Sequence, residues 1–122
     1  KYPEVKGILG TSSFDAPGTA RAIDELGLKG KVFTAGTGMP AANAQILKDG
    51  SVSTLTLWDP ANAGYAMASL ATKILNGETI EDGVNLGVEG YESMHFSSGS
   101  AKVLEGTGWL KITKDNVDSL GF

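Results

Sequence analysis

Three times within residues 1–77 the chain runs a short apolar stretch into a small polar cluster and then into a helix-like stretch. Residues 5–9 lead to Thr11, Ser12 and Ser13, residues 32–35 to Thr37 and Gly38, and residues 55–57 to Trp58, Asp59 and Pro60. Short apolar runs bounded by turn residues predict buried strands. Ala16, Ala20, Ile23 and Leu26 form a helical stripe that opens behind Asp15, as a cap, with Pro17 in its first turn, and that Gly27 closes. A second helix is predicted from about Pro40 to Lys48, stopping at Asp49 and Gly50. A third opens at Pro60, carries Met67, Leu70, Ala71, Ile74 and Leu75 at i, i+3, i+4, i+7 and i+8, and stops at Asn76 and Gly77. Strands joined through helices of this length need right-handed crossovers, so the sheet is expected to be parallel here.

Beyond Gly77 the pattern weakens. Residues 84–88 and 91–96 are strand candidates, 97–100 read as a loop, and 102–104 and 109–112 as short strands around a turn at 105–108. Thr113 or Asp115 is a candidate cap for one last helical turn. The expected fold class is α/β: three layers, a mostly parallel sheet with flanking helices. In such a sheet ligands sit at the carboxyl ends of the strands, which is where the three polar clusters fall.

A chain of 122 residues fits one domain, and its 17 glycines imply many tight turns. The net charge of −4, with ten scattered Lys and Arg residues, gives no basic face for nucleic acid. Cysteine is absent, which removes disulfides, thiolate ligands and thiol nucleophiles. No apolar run approaches the roughly 20 residues of a membrane span, and no signal-peptide pattern opens the chain. The start at Lys1 reads as the middle of a motif, so a processed or truncated polypeptide is expected.

Catalytic chemistry finds little support. His95, the sole histidine, lies in a strand candidate between Met94 and Phe96 and reads as structural, since no catalytic constellation is visible around it. No cofactor and no metal site is expected, and Gly36-Thr37-Gly38 matches neither phosphate-binding loop spacing. That tripeptide reads instead as a glycine turn needing positive φ. Glu78, Glu81 and Asp82 read as a solvated turn. Trp58 is different: an aromatic face at a strand end stacks on the C–H face of a sugar, while Asp59 and the hydroxyls of Thr11, Ser12, Ser13 and Thr37 suit its hydroxyl groups. The alternative for Trp58 is a core residue covering the sheet end.

The stretch Tyr2-Pro3-Glu4-Val5-Lys6-Gly7-Ile8, the Ala16-Pro17 helix start, residues 32–38, Leu57-Trp58-Asp59-Pro60 with Gly64-Tyr65, and the ending Ile112-Thr113-Lys114-Asp115-Asn116-Val117-Asp118 with Phe122 resemble the carboxyl-terminal part of type I periplasmic solute-binding proteins of ABC importers. Within that family the chain is most similar to the rhamnose-binding and autoinducer-2-binding group. The resemblance implies two lobes that enclose a small sugar-like ligand without catalysis, delivery to an ABC transporter permease, and a periplasmic or extracellular location, with a lipid anchor in a Gram-positive host. It implies that residues 1–59 belong to the carboxyl-terminal lobe, 60–104 return to the other lobe, and 105–122 form the last hinge crossing and tail. The chain is then about the last third of its protein, and needs the missing amino-terminal part, dimerisation or repacking to complete itself.

By position, Thr11 and Ser13 fall where autoinducer-2 binders place a contacting proline and alanine. Ser12 and Ser13 fall where ribose binders use an Asn-Asp pair, and Thr37 where they use an aspartate. The loss of those acids argues against ribose. Trp58 matches the tryptophan of the rhamnose and autoinducer-2 group. The rival functions are a sugar-responsive transcription regulator's effector domain, which shares the fold, and a small flavodoxin-like enzyme or cofactor carrier, which lacks its expected loop or catalytic pair here.

Overall fold

The computed structural model describes residues 2–122 and divides into two compact units: residues 2–57 with Leu110–Phe122, and Trp58–Trp109. The elements follow the order β1 (Gly7–Leu9), α1 (Asp15–Glu25), β2 (Phe33–Thr37), α2 (Pro40–Lys48), β3 (Thr54–Trp58), α3 (Pro60–Leu75), β4 (His95–Ser97), β5 (Ser100–Glu105), β6 (Trp109–Ile112) and a 3-10 turn at Val117–Ser119. The expected α/β class, a mostly parallel sheet with flanking helices, is what forms.

In the first unit the strands order β1-β2-β3-β6. β1 pairs parallel with β2 through Gly7 to Phe33 and Leu9 to Ala35, and β2 pairs parallel with β3 through Ala35 to Thr54 and Thr37 to Thr56. Because β1, β2 and β3 lie side by side in chain order, right-handed crossovers put α1 and α2 on the same face, where they touch. The core there joins Ala16 and Ala20 of α1, Leu47 of α2, Val52, Leu55, Leu57, Ile112 and Val117. Leu55 and Ile112 are fully buried, and the Thr54 hydroxyl donates to the Ile112 carbonyl at 3.0 Å, fastening β3 to β6.

The helix stops follow the sequence. After α1, Gly27 (φ 65°) donates to Asp24 and Leu28 to Ile23, and after α3, Gly77 (φ 79°) donates to Ile74 and Glu78 to Lys73. Both pairs use up carbonyls that a helix end leaves open, through a left-handed residue that glycine supplies at least cost.

Three local expectations are corrected. Asp15 does not cap α1: the cap position is Phe14, and the Asp15 carboxylate instead receives the amides of Thr11 and Ser12 at 3.0 and 2.9 Å, bracing the loop ahead of the helix. Gly36 and Gly38 have no positive φ. Glycine is needed there for room, since a Cβ on Gly36 would come within 3.1 Å of the Gly10 carbonyl oxygen and one on Gly38 within 2.9 Å of the Asn43 amide. Neither Thr113 nor Asp115 caps the final turn; Asn116 precedes it, and its side-chain oxygen accepts from the Thr113 amide at 2.8 Å.

The second unit is built on α3 and the antiparallel hairpin β4–β5, paired through His95 to Glu105 and Phe96 to Leu104. Its core is Ala66, Leu86 and Met94, with Leu70, Val84, Val88, Tyr91 and Leu104 against it. Residues 84–88 make one bridge, Val84 to Met94, rather than a strand. Gly83, Gly87 and Gly90 all take positive φ, and three left-handed residues in eight break any extended run. The predicted stripe of α3 is largely uncovered: Met67, Ile74 and Leu75 are exposed, Leu75 to 86%.

Candidate functional site

Thr11, Ser12 and Ser13 form an exposed turn directly after β1, and Thr37 is the half-buried last residue of β2. Parallel pairing puts these two carboxyl ends side by side in the first unit. The loop after β1 is held by the Gly10 amide donating to the Ala35 carbonyl at 2.9 Å and by the Asp15 carboxylate below it. Ser12 Oγ accepts from the Phe14 amide at 3.3 Å. The hydroxyls of Thr11, Ser13 and Thr37 have no partner among the described residues, so they can donate to or accept from a polyol.

Trp58 closes β3 and opens the second unit with 42% of its surface exposed. A core tryptophan at the sheet end would not leave so much indole in water. Asp59 is the N-cap of α3: its Oδ1 accepts from the Ala61 amide at 2.7 Å and the Asn62 amide at 3.3 Å. Oδ2 has no partner among the described residues and can still accept a hydroxyl. The sequence pattern did not single out Trp109, whose ring stands at 88° to that of Trp58 with centroids 5.3 Å apart. Its signal was available: the chain's other tryptophan, at the start of a strand candidate and after a glycine turn.

His95 is less solitary than its sequence suggests. Its Nδ1 lies 3.0 Å from Asp82 Oδ2, its Nε2 lies 3.2 Å from Ser93 Oγ, and Asp82 Oδ1 accepts from the Phe96 amide at 2.7 Å. The hydrogen bond from His95, then that from Phe96, holds the Asp82 carboxyl below the usual carboxylate range. The order of serine, histidine and aspartate is that of an activated nucleophile, but all three side chains are exposed. The arrangement ties the turn at Asp82 to strand β4.

A groove of 510 Å³ in the first unit runs along β1 and α1 past Val5, Ile8, Ala22, Ile23, Leu26 and Val32, and includes none of the six candidate residues. Its wall is mainly aliphatic, with Tyr2, Lys6, Thr19 and Lys31 at its polar positions, and it follows the open flank of edge strand β1. Among the described residues no cluster of His, Cys, Asp or Glu is arranged to hold a metal, and no helix is long and apolar enough to cross a membrane.

Among the solved structures similar to the chain, three match over nearly its whole length as follows. A sugar ABC transporter protein from Actinomyces odontolyticus shares 28% identity with a TM-score of 0.77 over 99% of this chain and 38% of its own. LsrB from Clostridium saccharobutylicum, solved in complex with AI-2, shares 22% with a TM-score of 0.68 over 99% and 41%. GanP, a glucose-galactose binding protein from Geobacillus stearothermophilus, shares 19% with a TM-score of 0.68 over 94% and 34%. This chain therefore spans about two fifths or less of the length of these proteins. No curated protein sequence matches it significantly. The profile of the periplasmic binding protein domain covers residues 1–79, the stretch that holds all three strand-cluster-helix units, and on that match the chain belongs to the periplasmic binding protein family.

Proposed function

We propose that the chain is part of an extracytoplasmic solute-binding component of an ABC importer, taking a sugar-like small molecule of the rhamnose or autoinducer-2 type. The observation that carries this reading is Trp58: a half-exposed indole at the carboxyl end of a parallel strand, followed by a carboxylate with one oxygen unused. Trp58 stacks on the ligand's C–H face, Asp59 Oδ2 accepts a hydroxyl, and Thr11, Ser12, Ser13 and Thr37 exchange hydrogen bonds with the remaining hydroxyls. The loop amides already spent on Asp15 leave these hydroxyls presented on a braced turn, which reduces the ordering cost of binding.

Residues 1–59 act in this reading as part of one lobe, 60–104 as a contribution to the other and 105–122 as the last crossing and tail. The uncovered Met67, Ile74 and Leu75 of α3 are a surface for the rest of a longer, two-lobed protein, with self-association of the 122-residue chain as the other way to cover them. The permease is the downstream partner, and the location is periplasmic or extracellular, lipid-anchored in a Gram-positive host. The sugar-ABC relative at 28% identity supports the substrate class.

Calorimetric titration of the full-length protein with L-rhamnose, autoinducer-2, glucose, galactose and ribose tests the proposal. Saturable binding of rhamnose or autoinducer-2, with ribose weakest, is expected. Absence of binding to every member of that panel overturns it.

A further inference from the structure

Within the second unit a small cavity of 190 Å³ is lined by Trp58, Tyr91, Met94, Leu104, Gly106, Gly108 and Trp109. Trp58 and Trp109 meet edge to face at 88°, so together they present two aromatic planes at a right angle. Trp109 is 58% exposed, a large apolar surface that folding alone does not bury. Glycines make the space: a Cβ on Gly108 would stand 2.8 Å from the Tyr91 ring, one on Gly106 would strike Met94 Sδ, and one on Gly90 would come 2.7 Å from the Gly108 Cα.

From this corner we infer that Trp109 is a second ligand-contacting aromatic, and that Trp58 and Trp109, backed by Tyr91 and Met94, seat the C–H face of one monosaccharide-sized ring. The inference rests on the sugar-binding reading above and adds to it a specific residue and a size limit. The cavity lies below the roughly 300 Å³ at which pockets for drug-sized ligands begin, so it takes a single ring rather than an oligosaccharide. No charged side chain lines it, which excludes a sugar phosphate or acid from this corner and leaves the neutral C–H face as the fitting surface. The carboxylate of Asp59, next in the chain after Trp58, keeps an oxygen for the ring's hydroxyls.

The test uses the full-length protein labelled with 5-fluorotryptophan, the Trp109 resonance being the fluorine signal missing from Trp109→Phe, together with calorimetry. With whichever monosaccharide of the panel binds, the Trp109 resonance is expected to shift saturably with the calorimetric dissociation constant. Trp109→Ala is expected to weaken binding about tenfold or more and Trp109→Phe about threefold, as a smaller aromatic face remains. If Trp109→Ala lowers the melting temperature, the phenylalanine variant, whose fold is preserved by a ring of similar shape, decides. Sugar binding that Trp58→Ala weakens while the Trp109 variants stay within about twofold of wild type, or while the Trp109 resonance stays still, overturns this inference and leaves the sugar-binding reading standing. No sugar binding by the wild type overturns both.

Discussion

Asp59 caps α3 through Oδ1, while the proposed site gives the ligand its Oδ2, which has no partner among the described residues, so the two roles separate by substitution. Asp59→Asn keeps an acceptor for the cap and is expected to cost only a few tenths of a kcal/mol in urea unfolding, whereas Asp59→Ala costs about 1 kcal/mol. Both are expected to weaken sugar binding, and equal affinity of Asp59→Asn and wild type would remove Asp59 from the ligand. Asp82 gives a pH dependence. Its carboxyl titrates below the ordinary range because it accepts from His95 and from the Phe96 amide. Its contribution is therefore present above the ordinary carboxylate pKa of about 3.9 and is lost as pH falls through the depressed value in the folded state. Amide hydrogen exchange at Phe96 is expected to speed up relative to neighbouring amides in acid, and Asp82→Ala to abolish that extra acid sensitivity; the same relative exchange in both proteins from pH 6 to 3 would refute it. Gly108→Ala drives a methyl into the Tyr91 ring and is expected to destabilise by about 1–3 kcal/mol, read as a lowered midpoint in denaturant.

At the scale of elements, residues 1–77 were legible because each strand is short and apolar, each helix repeats its apolar positions every three or four residues, and Gly27, Gly50 and Gly77 mark the stops. Those glycines all take positive φ, as helix ends demand. Gly36 and Gly38 were misread for the same reason in reverse: the sequence shows a glycine but not whether backbone angle or crowding requires it, and here it is the Gly10 carbonyl and Asn43 that crowd them. The strand candidate at 102–104 forms within β5, whereas those at 84–88 and 91–96 form at most in part, since that stretch is ordered by glycine turns and by Asp82 reaching β4 across the chain, neither of which leaves a periodic trace. Of the candidate site, the strand-end hydroxyls and Trp58 were legible from position. Trp109 was not, because its pairing with Trp58 is a contact across 51 residues of chain. The stripe on α3 was read correctly as apolar, yet in the second unit it faces outward. In the full-length protein Ile74→Ser is expected to destabilise by about 1–3 kcal/mol if the remaining chain covers that stripe, as proposed. An effect under about 0.5 kcal/mol, typical of a solvent-facing site, would show the stripe to be bare there.

For the molecule as a whole, the chain belongs to the periplasmic binding protein family and spans about two fifths or less of similar solved proteins, so its proposed ligand is argued from its own residues. Hydroxyls at the ends of β1 and β2 and an indole at the end of β3 are groups that suit a neutral polyol, as proposed. All of this converges on one side chain. Affinity of the full-length protein for its best monosaccharide or autoinducer-2 ligand, measured by calorimetry for wild type, Trp58→Phe and Trp58→Ala at matched stability, is the most direct test. The account predicts a graded loss, small for phenylalanine and about tenfold or more for alanine. Equal affinity across the three proteins would contradict it.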